Sequence, residues 1–288
     1  MNKYFSLLIA LFFVFTAFKN DKPAYLLFDK TGKPVKYEKM VKQLADADIV
    51  LFGELHNNPI SHWLQLEITK SLFESKGNKL LLGAEMFETD NQLILDEYLQ
   101  EMISQSRFEN EAKLWPNYKT DYKPLVEFAK EHQLTFVASN IPRRYASLVN
   151  SKGFEGLEEL SNEAKALLPP LPPAYDSTLN CYKSMMEMPG MGSHVTSNFP
   201  KAQAIKDATM ANSILKYWEP GKLMLHYHGA YHSENFESIY WYLKQANPSL
   251  KIVTLHSVTQ PDNSKLSDDN SGKADFTICI DEDMTTTY

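Results

Sequence analysis

Six short apolar runs separated by helical patterns limit what this chain can fold into. They are Ile49–Phe52, Lys79–Gly83 (KLLLG), Leu134–Ala138 (LTFVA), Lys222–Tyr227 (KLMLHY), Lys251–Leu255 (KIVTL) and Asp275–Cys279 (DFTIC). Ile49 to Phe52 has no polar alternation, so both faces of such a strand must be buried. Helical stretches lie between the runs. Ile60, Leu64, Ile68 and Leu72 recur every fourth residue after Asn58-Pro59, an N-cap followed by proline at the first helical position. Leu95, Tyr98, Leu99 and Met102 form a second helical face, and Ile239, Tyr242 and Leu243 a third. Buried strands alternating with helices predict an α/β fold with a mostly parallel sheet covered on both faces.

The 288 residues, 43% of them hydrophobic, are enough for one large core, and a single domain over 24–288 is expected. The long connection of about 168–199, rich in Pro, Met and Tyr, reads as a lid insertion. A net charge of −7 without a run of Lys or Arg excludes nucleic acid as a partner. Phe5 to Phe18 carries no charge and follows Lys3, the order of a secretory leader, and is short for a membrane span of roughly 20 residues. Export to the periplasm or envelope, with 1–18 as a signal peptide, is expected. Cys181 and Cys279 are too few for a four-cysteine zinc site, and whether they pair is open.

Ligands of an open parallel sheet bind beyond the carboxyl ends of its strands, where the following loops converge. Four strands here deliver polar groups to that edge. The first ends in Gly53-Glu54-Leu55-His56, the second in Ala84-Glu85, the third in Ser139-Asn140-Ile141-Pro142-Arg143-Arg144, and the fourth in His228-Gly229-Ala230-Tyr231-His232. Asn140 alone is more simply a cap or turn former, and either histidine alone is more simply a satisfied core residue. Their joint arrival, with a glycine three residues ahead of both His56 and His232, favours a shared site. Glu85, between an apolar run and Met86-Phe87, needs a cation, a donor or a proton. In the helix 201–218, Gln203, Asp207, Met210 and Ile214 share one face, which predicts that Asp207 holds Arg143, Arg144 or a site histidine rather than a surface lysine.

Taken in order, the GELHNNPISH, AEMFETDNQLILDEYL, ASNIPRRYA, AQAIKDATMA and HGAYH stretches resemble the ChaN-like family of iron-regulated, haem-binding exported proteins. That family is related to the Tiki-type metalloproteases and the erythromycin esterases, whose sites use two G-x-x-H elements and a glutamate. The resemblance implies a three-layer α/β/α fold and a role in haem or iron acquisition at the cell envelope. It places the G-x-x-H elements at Gly53–His56 and Gly229–His232, with Glu85 as the glutamate. ChaN members are often lipoproteins, and this sequence departs from them in having no lipid-attachment cysteine near its leader.

Two functions from different classes follow. For haem, Tyr231, Tyr227, Tyr145 and Tyr175 are candidate axial ligands, Arg143 and Arg144 would meet propionates, and Asn140 and Asp207 would support the site. For hydrolysis, His56, Glu85 and His232 are a two-histidine, one-carboxylate set for a divalent metal ion, with Glu54 as general base; in a metal-free version His56 activates the nucleophile. A third reading gives soft-metal binding to Met185, Met186, Met188, Met191 and His194, though such methionines more often pack. Candidate partners are haem or another iron-containing small molecule, an envelope transport protein and a second copy of the chain.

Overall fold

The computed structural model describes residues 22–186 and 196–288; the leader and Met188, Met191 and His194 lie outside them. The strands are β1 (Tyr25–Asp29), β2 (Ile49–Glu54), β3 (Leu80–Glu88), β4 (Phe136–Asn140), β5 (Leu223–Gly229), β6 (Ile252–Gln260) and β7 (Phe276–Asp281). They form one sheet in the order β1-β7-β6-β2-β5-β3-β4. Only the β1–β7 pairing is antiparallel. Each predicted run overlaps a strand, with Leu134 and Thr135 falling before β4, and every residue of β2 is buried. The runs understate β3, which continues through Glu85 to Glu88, and β1 was not among them.

Helices cover both faces. On one, α1 (Tyr37–Ala45), α2 (Pro59–Lys76), α3 (Gln92–Leu99), α4 (Gln105–Glu111) and α5 (Lys123–Glu131) pack over Val50, Phe52, Leu82, Leu225 and Tyr227. α2 starts as its sequence dictates: the Asn58 side chain accepts from the Ile60 and Ser61 amides at 3.0 and 3.1 Å, with Pro59 next. After α6 (Arg143–Lys152) and the single turns α7 (Asn162–Lys165) and α8 (Asn180–Lys183) come α9 (Phe199–Tyr217) and α10 (Ile239–Ala246). α9 and α10 cover Ile49, Leu51, Leu81 and Met224 on the opposite face. The result is the three-layer α/β/α arrangement. Among the described residues no helix is long and apolar enough to cross a membrane.

The two glycines shared by the G-x-x-H elements have a common structural cause. β2 and β5 are neighbours, with Gly53 opposite His228 and Glu54 opposite Gly229. A Cβ on Gly53 would stand 2.9 Å from the Ala230 Cα, and one on Gly229 2.7 Å from Nε2 of His56. Only glycine lets the two strand ends and their histidines come this close.

Candidate active-site pocket at the strand ends

His56 and His232 meet at the carboxyl edge of the sheet, where His56 is held by Glu54 of β2, and His232 by Glu85 of β3 and Asp207 of α9. On the α2 side, fully buried Glu54 receives the Nδ1–H of His56 at 2.8 Å and the hydroxyl of Tyr122 at 2.7 Å. Its other oxygen accepts from the Gln65 amide. The backbone carbonyl of His56 is fixed in turn by Nε2–H of His62 at 2.9 Å and by the Asn117 amide at 3.1 Å. This fixes both the tautomer and the orientation of the His56 ring. Burial pulls His56 down, but the hydrogen bond to Glu54 and the charges of Glu85 and Glu54 outweigh it, and the imidazole ends above its ordinary value.

On the α9 side His232 is clamped between two carboxylates: Nδ1 to Asp207 at 2.5 Å and Nε2 to Glu85 at 3.2 Å. Burial alone would depress it, yet the two charges and their hydrogen bonds raise it to about 10, so it is an imidazolium at neutral pH. One imidazolium cannot neutralise two carboxylates. Glu85, which also accepts the Gly229 amide at 2.8 Å and faces His56, is held below the carboxylate range despite its burial. Asp207 is the one that burial drives up, in spite of His232 and the Tyr182 hydroxyl at 2.9 Å. The expectation from the α9 face is met: Asp207 holds a site histidine.

Above this floor opens a cavity of about 560 Å³. Leu114, Trp115 and Pro116 form one wall, with Trp115 edge-on to His56 at 5.0 Å between ring centroids. Lys113, Arg143 and Lys206 also line it. Lys113 is paired with Glu88 at 2.6 Å; among the described residues Arg143 and Lys206 have no carboxylate partner. The His56 side chain, 36% exposed, is the part of the floor that reaches the opening, whereas the His232 side chain is 7% exposed.

Of the residues singled out from the sequence, Glu85, His56, His232, Asn140 and Arg143 line this cavity, and Glu54 and Asp207 lie behind its histidines. Three expectations need correction. Tyr227 is fully buried, its side chain points to the opposite layer and its hydroxyl meets Thr69 at 2.5 Å, so it is a core residue. Arg144 turns away to Asp90, at 2.5 Å, and over the Tyr145 ring. The metal-binding set expected of His56, Glu85 and His232 is not found: Nδ1 of His232 meets Asp207 and its Nε2 faces Glu85. Among the described residues no group of three or more His, Cys, Asp or Glu has metal-holding geometry. Tyr231 lies beside the pocket, its hydroxyl given to the Cys181 carbonyl and close to Ser184.

The insertion was expected to be a lid. In its described part it packs on α9, where Cys181 and Tyr182 are buried against Ala204, and reaches the site from behind through Tyr182 and Asp207. Sequence reasoning missed Gln65, His62 and Tyr122. Gln65 had a visible signal, since it stands beside Leu64 and Ile68 on the buried side of α2. Trp115 and Lys206 had none, because they come from a loop and from the edge of a helix face.

Residues 40–243 match the family model described as haem-binding uptake, Tiki superfamily, ChaN. Among solved structures, the chain is similar to ChaN of Campylobacter jejuni, described as binding haem cofacially. The identity is 20% over 90% of this chain and 98% of that one, with a TM-score of 0.67. A Bacillus cereus protein aligns at 12% identity over 85% and 90% of the two chains, with a TM-score of 0.50. An erythromycin esterase variant in its open conformation aligns at 12% identity over 92% and 83%, with a TM-score of 0.46. At these identities the likeness to the first two shows the fold. The comparison with curated proteins returned no match.

Proposed function

The chain belongs to the ChaN haem-binding uptake family of the Tiki superfamily, and from that premise we propose that it is an exported protein that binds haem for haem or iron acquisition at the cell envelope. One observation carries the choice of site: the rim pocket is amphipathic in the way a haem is. The Leu114-Trp115-Pro116 wall offers an apolar, aromatic surface for a flat macrocycle. Arg143 and Lys206 offer charge for the two propionates, in a chain whose net charge is −7. The uncharged stretch after Lys3 supports export. An envelope transport partner and a second copy of the chain are further candidates for contact with the bound ligand.

Titration with hemin, followed by the Soret band, tests the site. The wild-type protein should saturate with a shifted band, and Trp115→Ala should weaken binding by about tenfold. Saturation by Trp115→Ala at the wild-type concentration of hemin would remove the pocket from consideration.

A second reading, histidine-based hydrolysis, is favoured by the Glu54–His56 pair. A carboxylate on Nδ1 leaves Nε2 to take a proton from a small nucleophile such as water. Because its pKa is raised, His56 loads with protons first, and any such activity would grow as pH rises through that value. A rate that instead falls with rising pH over this range would count against His56 as the base.

A further inference from the structure

The segment that follows β7 returns to the turn that carries His56. β7 runs parallel to β6, and β6 to β2, so Asp281 stands at the same edge of the sheet as Glu54, two strands away. From there residues 282–288 cross the intervening strand end. The Glu282 amide donates to the Gln260 carbonyl at 3.0 Å, and Met284 packs against the core. Two bonds then fasten Thr287: its amide donates to the Asn57 carbonyl at 2.8 Å, and its hydroxyl to Oδ2 of Asp121 at 3.0 Å.

Both anchor points belong to the support of His56. Asn57 follows it in the short turn between β2 and α2, which the Asn58 amide closes on the Leu55 carbonyl at 3.0 Å. Asp121 is 4% exposed, and its Oδ2 also takes the Asn117 side-chain amide at 2.7 Å and stands 3.5 Å from Nε2 of His62. Asn117 and His62 are the two groups that hold the His56 carbonyl. Asp121 further shares one π-helical turn, Tyr118–Tyr122, with Tyr122, whose hydroxyl meets Glu54. A buried carboxylate that loses a donor must draw in water or move to find another. Either response passes to the His56 carbonyl through Asn117 and to Glu54 through Tyr122.

We propose that residues 282–288 are a strap that positions His56, with Thr287 and Asp121 as positioning residues: the docked strap holds the His56 turn against the Tyr118–Tyr122 turn and so keeps the Nδ1–H of His56 on Glu54. The strap acts through backbone and a buried carboxylate, so it serves the ring under either reading of the pocket.

The test follows the His56 Nδ1 proton by NMR on the full chain with isotope-labelled histidine. The His232 Nδ1 proton, held by Asp207 on the opposite face of the sheet, is the internal reference. Thr287→Val keeps the shape and the amide but removes the hydroxyl, and should speed exchange of the His56 proton with water by about five- to tenfold, the loss of one hydrogen bond. Thr287→Pro removes the amide donor as well and should speed it further. Thr287→Ser keeps both bonds and should exchange as wild type does, and the His232 proton should be unchanged throughout. A His56 proton that exchanges at the wild-type rate in Thr287→Pro would overturn the proposal. Equal acceleration of both histidine protons would overturn it too, because the segment would then support the fold as a whole and not His56.

Discussion

β5 and the turn after it carry three buried histidines in two opposite electrical states. Inside the strand, His226 and His228 face each other through their Nδ1 atoms at 3.1 Å, and each ends on a hydroxyl: Ser139 at 2.7 Å and Ser233 at 2.8 Å. No carboxylate touches either ring, burial dominates, and His226 is pushed down to about 3 with His228 also well below its ordinary value. Four residues past His228, His232 is just as buried but lies between Glu85 and Asp207 and is pushed up to about 10. The same side chain at the same depth is neutral among hydroxyls and charged among carboxylates. Burial alone therefore does not set the charge of a histidine; its partners do.

The contrast breaks most sharply at Glu85. Glu85→Ala leaves the His232 imidazolium with a single partner and the Gly229 amide without an acceptor. It should cost about 3–5 kcal/mol of stability in denaturant titration. In NMR the His232 titration should move downward from about 10. An unchanged denaturation midpoint would mean that the cluster is not held together by charge.

The interior pair sets the response to acid. The unfolded chain takes up protons near the ordinary histidine value of 6.5, while folded His226 resists down to about 3. Stability is therefore present above 6.5 and should be lost as pH falls through this window, by about 1.4 kcal/mol per pH unit for that histidine. His232 behaves in the reverse sense: its contribution is complete below 6.5 and lost as pH rises toward about 10. Denaturation midpoints of His226→Gln across the acid window should fall less steeply than wild type; parallel curves would contradict the assignment.

Gly229→Ala probes the gap between the two regions. Its Cβ would stand 2.7 Å from His56 Nε2, so the ring must shift, at about 1–3 kcal/mol. The loss should appear together with altered His56 titration, and a methyl tolerated without either change would mean that the two strand ends are looser than drawn. The smallest effect is expected at the surface. Arg144→Ala removes a half-exposed ion pair with Asp90 and should change stability by less than about 1 kcal/mol, with hemin binding unaltered.

Much of this organisation was legible in the sequence, for physical reasons. Continuous apolar runs can only be doubly covered strands, so the parallel sheet and its polar edge followed from Ile49–Phe52 and its counterparts. Asp207 showed itself as an acid on an apolar helical face. Tyr227 and Arg144 misled, because in a strand neighbouring side chains point to opposite layers, which separates Tyr227 from His226 and His228, and because adjacent residues on α6 diverge, so that Arg143 reaches the pocket and Arg144 Asp90. Gln65, Tyr122 and Trp115 come from distant elements, and their convergence on Glu54 and His56 depends on packing that no local pattern carries.

The most direct test of the account is the crystal structure of the hemin-loaded protein. The macrocycle is expected against Trp115 and Pro116, its carboxylates on Arg143 and Lys206, with Glu85, His232 and Asp207 still paired beneath it. Haem seated on another face, with the cavity beside His56 and Trp115 left to solvent, would contradict it.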